Sequence, residues 1–212
     1  MTIGTVVFDL GGVLIEWDPR HLYRQLLPDD EVEGFLEEIG FAEWNHRQDA
    51  GRAWSDAVEE HIRRHPHRAD LIRAYPERFG DSLVGPIPGT VAILEELHTR
   101  GVPLLALTNW SAESFPVARD GFPFLDLFDD IVVSGEERVA KPDPRIFRIL
   151  VERHGLEPAA TMFIDDSPAN VEAASAVGLV AVRYESPAAL RAQLVAAGLL
   201  PPDGSVSPSG AG

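Results

Sequence analysis

Asp9, Thr108, Lys141, Asp165 and Asp166 stand in four separate segments, and together they offer three carboxylates, a hydroxyl and an ammonium. Three carboxylates held side by side repel one another, and a hard divalent cation relieves that repulsion. Magnesium suits such a set, because it takes one or two carboxylates together with waters and a phosphate. With an ammonium and a hydroxyl beside it, the arrangement fits a phosphoryl group, whose charge the cation and Lys141 offset while Asp9 attacks in line. Each residue also has a plainer structural account. Asp9 can simply start a tight turn, Thr108 can close a strand with its hydroxyl, and Asp165-Asp166 can cap a strand-to-helix turn that Ser167 is able to cap without them. Convergence of all five at one place is what separates the two accounts.

The elements around these residues predict that convergence. Val6, Val7 and Phe8 form a continuous apolar run that reads as a fully buried parallel strand, so Asp9 lies at its carboxyl end, where open α/β sheets bind ligands. Gly11 and Gly12 then allow a sharp turn and a close approach of backbone to a bound group. Strand and helix alternate again from about residue 86. The strands are 102–107 ending at Thr108, 131–133, 161–164 ending at Asp165-Asp166, and 179–182; Ser111 is read as the cap of the helix that follows the first of these. Lys141 precedes Pro142, which disfavours helical backbone at the lysine, and Asp143 caps a helix that Pro144 opens. Repeated βα units with strands this apolar predict an α/β fold, a Rossmann-like and mostly parallel sheet with helices on both faces.

Between the first strand and this alternation the pattern is helical. Asp18-Pro19-Arg20 opens the first helix, and apolar stripes at 22–27, 32–39, 53–62 and 71–75 predict a small four-helix cap with no strand in it. The domain expectation is therefore a discontinuous core, 1–16 and 85–200, a helical cap over 17–84, and a disordered tail over 201–212 rich in Pro, Gly and Ser. Trp44, Asn45, His46 and Arg47 fall at a turn expected to face the site and set specificity, with a Trp packed in the bundle as the structural alternative.

Composition bounds the function. The 212 residues hold 45% hydrophobic and 25% charged side chains, ordinary for a soluble globular protein. A net charge of −16 argues against general electrostatic binding to nucleic acid or to an anionic membrane, though not against a small anionic substrate at a local site. The chain has no cysteine, which excludes thiol nucleophiles and thiolate metal sites. No basic leader or long apolar segment is visible, and the expected location is the cytoplasm, as a monomer or homodimer acting on a small phosphorylated metabolite. Of the 18 basic residues Lys141 is the single lysine, which marks it for a place needing a compact ammonium instead of a planar guanidinium.

Four stretches resemble the motifs of the haloacid dehalogenase superfamily: Asp9-Leu10-Gly11-Gly12-Val13-Leu14, Leu107-Thr108-Asn109, Lys141-Pro142, and Ile164-Asp165-Asp166-Ser167-Pro168-Ala169-Asn170. The resemblance spans nearly the whole chain and is similar, at its start, to the bacterial α-D-glucose-1-phosphate phosphatase-like branch. It implies Asp9 as nucleophile and magnesium ligand, the Gly11 carbonyl and Asp166 as further ligands, and Asp165 joining or supporting them. It also implies that Thr108 and the Asn109 backbone hold phosphate and that Lys141 bridges phosphate and nucleophile.

Two positions depart from that pattern. Phosphatases of the superfamily usually carry an aspartate two residues after the nucleophile, which protonates the leaving oxygen; here Gly11 stands there and has no proton to give. Asn170 occupies a place where a further carboxylate is common, and weaker outer support for the metal is the expectation. Loss of the acid costs about 10²–10⁴-fold on a poor leaving group. The expected substrate is therefore one whose leaving group departs readily, such as an anomeric sugar phosphate or an acyl or aryl phosphate, unless Glu16, Asp18 or His46 substitutes. Metal-free 2-haloacid dehalogenase chemistry with the same Asp9 is the rival, with Arg47 as its cap arginine. Asp165-Asp166 argues against it. A phosphosugar mutase needs the missing acid, a non-catalytic binding protein would not need all of Asp9, Lys141 and Asp166, and a dinucleotide enzyme lacks its G-x-G-x-x-G.

Overall fold

A computed structural model describes residues 2–202. Strand β1 (Thr5–Phe8) is central in a five-stranded sheet. It pairs in parallel with β4 (Leu104–Thr108) on one side and β6 (Thr161–Asp165) on the other; β5 (Asp130–Val133) and β7 (Val180–Arg183) form the edges. The spatial order is β5-β4-β1-β6-β7. The chain builds outward from β1 through β4 to β5, then crosses to β6 on the opposite side, so a topological switch point lies beside β1, where such sheets open a crevice. The parallel α/β architecture read from the sequence is the one found.

Alternation within the strands sorts the core into two faces. Val6, Phe8, Ala106, Met162 and Ile164 pack on one face with Ile93, Leu94 and Leu97 of α6 (Pro88–Thr99) and Leu190 and Leu194 of α11 (Pro187–Ala196). Val7, Leu105, Leu107, Val132 and Phe163 pack on the other with Ile146, Phe147 and Leu150 of α9 (Pro144–His154) and Ala174 of α10 (Pro168–Ala176). Both faces are covered, as a parallel sheet of near-continuous apolar strands requires. Two short helices complete this part, α7 (Phe115–Gly121) and α8 (Ser134–Glu137).

The helical segment differs from expectation in two ways. It holds five helices: α1 (Pro19–Tyr23), α2 (Asp29–Glu38), α3 (Phe41–Asp49), α4 (Trp54–Arg64) and α5 (Ala69–Glu77). The one unread from sequence is α3, whose buried positions Phe41, Trp44 and Gln48 include an amide, so its apolar stripe is broken. The segment is also flanked by an antiparallel pair, β2 (Ile15–Trp17) with β3 (Leu83–Pro86), too short and too rich in Gly and Pro to alternate visibly. Asp18 accepts the Arg20 amide as the cap of α1, as predicted.

The helices do not carry a core of their own. Tyr23, Phe35, Phe41, Trp44, Trp54, Tyr75 and Phe79 belong to the same buried cluster as Val6 and Phe8 of the sheet. Contact passes from Phe79 to Trp110 (ring centroids 5.7 Å apart) and from Trp110 to Phe115 (5.9 Å), joining the helices to the loop after β4. That loop also stacks on α8, which follows β5 directly. At Gly135 a Cβ would lie 2.4 Å from the Ala112 nitrogen and 2.7 Å from the Trp110 carbonyl oxygen, so only glycine admits this approach.

Candidate active site

Three strand ends place the charged groups. Asp9 follows β1 directly, its amide donating to the Ile164 carbonyl (2.8 Å) and its Oδ1 accepting from the Leu10 amide (2.7 Å). Thr108 closes β4, buried, and Asp165 closes β6 with no exposure. Lys141 reaches the same edge from the loop before α9, through a cis bond to Pro142. Asp143 accepts the Arg145 amide (2.9 Å) as the cap of that helix.

Lys141 is 1% exposed, and its three ammonium protons are matched by three acceptors: Asp9 Oδ1 at 2.9 Å, Asp165 Oδ2 at 2.7 Å and the Leu107 carbonyl at 2.8 Å. Burial works against its charge, but Asp9 and Asp165 outweigh that and hold its pKa above the ordinary lysine value. The Asn109 side chain fixes the lysine's backbone from both sides. Its Oδ1 accepts the Lys141 amide (2.8 Å) and its Nδ2 donates to the Lys141 carbonyl (2.9 Å). Sequence reasoning gave Asn109 only a backbone role; its amide clamp emerges from the packing of two loops 32 residues apart.

Asp165 is fully engaged. Oδ2 accepts from Lys141, Oδ1 accepts the Ser167 amide (2.9 Å), and Asn170 Nδ2 lies 3.0 and 3.1 Å from the two oxygens. A carboxylate at position 170 would face Asp165 and repel it, whereas the amide donates to it. The capping expectation for Ser167 is changed: it stands at the start of α10 without a side-chain cap bond and acts through its backbone instead. Ser111 likewise does not cap α7, which begins at Phe115; its hydroxyl accepts the Glu113 amide (3.2 Å).

Asp9, Asp165 and Asp166 offer ligand atoms within 4.8 Å of one another. Asp166, the exposed member, lies against the glycine turn: a Cβ on Gly12 (φ +73°) would stand 2.6 Å from Asp166 Oδ2. Of the three, Asp165 is already engaged by Lys141, Asn170 and the Ser167 amide, and Asp9 shares the Lys141 ammonium. Three carboxylates against one ammonium leave two negative charges when all are ionised, which a dication cancels. The electrostatics agree. Burial, with Asp165 adding to it, pushes the Asp9 carboxyl up to about 7 despite Lys141, and burial and Asp165 also raise Asp166. A cation that binds these carboxylates must displace protons, so its affinity rises with pH.

Beside the charged cluster opens a cleft of about 370 Å³ of empty space, its mouth included, lined by Gly11, Trp17, Asn45, Asp49, Tyr75, Phe79, Asn109 and Trp110. The indole N–H of Trp110 has no hydrogen-bond partner among the described residues. Of the four expected specificity residues, Asn45 alone lines this cleft. Trp44 packs in the aromatic core with its indole N–H on the Ala57 carbonyl (3.3 Å), His46 is exposed, and Arg47 is exposed and paired with Glu43 (3.0 Å). The helical period explains the outcome. Positions 45 and 49 of α3 share a face, and 46 and 47 rotate away from it. The suggested substitute acids fare no better, since Glu16 is exposed on β2 and Asp18 is engaged in capping α1 and pairing Arg20.

Residues 3–178 match the family described as hydrolase, haloacid dehalogenase-like hydrolase. The chain belongs to the haloacid dehalogenase-like hydrolases. It is 29% identical over 182 residues to the sesquiterpene phosphatase astK of Aspergillus oryzae, covering 84% of this chain and 88% of that protein. It is 29% identical over 196 residues to the phosphoglycolate phosphatase of Rhodospirillum rubrum, with 84% and 77% covered. Among solved structures, it resembles the HAD family enzyme BT-2542 of Bacteroides thetaiotaomicron in complex with magnesium and inorganic phosphate, with a TM-score of 0.66 at 26% identity over 87% of this chain and 95% of the other. Among the described residues of this hydrolase, no helix is long and apolar enough to cross a membrane.

Proposed function

We propose that this hydrolase is a magnesium-dependent phosphatase acting on small phosphate monoesters through an aspartyl-phosphate on Asp9. The observation that carries the reading is the Lys141 ammonium held between Asp9 and Asp165 at the edge where Asp166 and the Gly11-Gly12 turn meet. Asp9, Asp166 and the Gly11 carbonyl would hold the ion, which would supply positive charge against the phosphoryl oxygens. Asp9 is the nucleophile. Lys141 orients it and neutralises charge on the phosphoryl group, Asp165 and Asn109 fix Lys141, and Thr108 with the Asn109 backbone binds the phosphate. Residues 1–16 and 85–200 serve as the catalytic core and 17–84 as the cap that walls the substrate's alcohol portion with Trp17, Tyr75 and Phe79.

An anomeric sugar 1-phosphate is the first substrate class to examine, because Gly11 supplies no acid at the usual position and the aromatic walls suit the apolar face of a sugar ring. A dehalogenase is disfavoured by Arg47, which is turned outward and tied to Glu43. A panel of phosphate esters and chloroacetate, assayed with magnesium and with a chelator, tests the reading. Phosphate release that requires magnesium and returns on its re-addition is expected. Halide release in chelator would replace the proposal with the dehalogenase.

The glycine turn gives a second check. Gly12→Ala forces the Asp166 carboxylate aside, and the magnesium concentration for half-maximal activity is expected to rise about 10–100-fold, the range for losing support of a metal ligand.

A further inference from the structure

We propose that Asp49 is the general acid and base of this reaction, giving a proton to the leaving-group oxygen as Asp9 attacks and later taking one from the hydrolytic water. The inference deepens the phosphatase reading above and rests on it. Asp49 lies at the end of α3, far in sequence from every motif, yet it lines the same cleft as Gly11 and Asn109. Its place is fixed from two directions. Asn45 Nδ2 donates to its Oδ2 (2.9 Å) and Ser134 Oγ donates to its backbone carbonyl (2.5 Å), with the Ser111 amide turned toward its carboxylate. Ser111 sits in the loop after β4, three residues beyond Thr108, and Ser134 opens α8 directly after β5. A carboxyl from the helical segment is thereby docked on the loop expected to hold phosphate.

The position that lacks an acid borders the same cleft. A Cβ on Gly11 would meet nothing within 4 Å, and the cleft that Gly11 lines has Asp49 in its wall. Burial pushes the Asp49 carboxyl up to about 7 against the pull of the Ser111 amide, and its place at a helix C-terminus favours the neutral form as well. A carboxyl in that range can both give and take a proton near neutral pH. Tyr75, also ionisable and in the cleft wall, has its phenol driven well above its ordinary value by burial and by Asp49, too weak an acid for the task.

The balance is as follows. A bond forms between an Asp9 carboxylate oxygen and phosphorus while the ester P–O bond breaks, and its electron pair with the Asp49 proton leaves as the free alcohol. Water oxygen then attacks phosphorus, its proton passes to the Asp49 carboxylate, and the Asp9–phosphorus bond breaks to return Asp9 and inorganic phosphate.

The experiment is a leaving-group series on the magnesium-loaded full chain, alkyl phosphates to 2,4-dinitrophenyl phosphate, in wild type and Asp49→Asn. On alkyl esters the variant is expected to lose about 10²–10⁴-fold in kcat/KM. First-turnover release of dinitrophenolate should change by less than about threefold, because so acidic a phenol departs unprotonated. Gly11→Asp added to Asp49→Asn should recover alkyl-ester turnover. An equal loss on every ester would mark Asp49 as structural and overturn the proposal, as would unchanged alkyl-ester rates. Should the variant not fold, a wild-type kcat/KM that falls steeply with leaving-group pKa overturns it alone. A wild type that releases phosphate from no ester would refute the phosphatase reading instead.

Discussion

Asp9→Asn is expected to lower kcat by about 10⁴–10⁶-fold, the loss typical of a nucleophile that works as one of a unit. An amide can still accept from Lys141 and the Leu10 amide, so the fold is kept, but it cannot open an ester bond to phosphorus. Acid quench of wild type with labelled substrate should trap a protein-bound phosphoryl group that the variant never shows. Stability moves the other way. The Asp9 carboxyl stands at about 7 in the folded protein against an ordinary 3.8, so between these values the folded chain keeps a proton that the unfolded chain has lost. Its contribution to stability therefore falls as pH rises through that window. Asn does not titrate and escapes the loss. Without metal at pH 8 the variant should melt no lower than wild type. A dead variant that melts far lower would indicate misfolding and leave the nucleophile's part unproven.

Lys141→Arg is expected to fail in both activity and stability. The ammonium meets three acceptors within 2.9 Å in a site 1% exposed, a geometry for three diverging donors on one atom. A planar, longer guanidinium cannot reproduce it. Displacing the charge leaves Asp9 and Asp165 buried and unpaired, at about 3–5 kcal/mol. For a chain of this size that corresponds to a fall of about 6–20 °C in Tm, readable by thermal denaturation of the metal-free protein. Turnover should drop at least about 10³-fold, since the phosphoryl group loses its fixed positive neighbour. Near-normal rates in this variant would remove the significance attached to the chain's single lysine.

The contrast between Lys141 and Asp49 shows where a sequence stops speaking. Asp9, Asp165 and Asp166 end apolar strands, and Lys141 stands before a proline and a capped helix, so local chemistry fixes their places and the strand order brings them together. Asp49 carries no such mark. Its surroundings come partly from Ser111 and Ser134, 62 and 85 residues away, and it is burial in that packing, against the pull of the Ser111 amide, that raises its carboxyl. Trp44 to Arg47 are contiguous residues of a helix, where neighbours in sequence point in different directions. Asn45 followed by Asp49 one turn later was the available signal, and it requires knowing that α3 exists. Gln48 at a buried position hid that helix, and the β2–β3 pair was too brief to show alternation.

The aromatic chain from Phe79 through Trp110 to Phe115 bears on how such enzymes diversify. A cleft wall drawn partly from the helices of 17–84 and partly from the loop after β4 cannot be exchanged as a cassette. Transplanting 17–84 into a relative would carry Trp17, Tyr75 and Phe79 but leave behind Trp110 and the serines that seat Asp49.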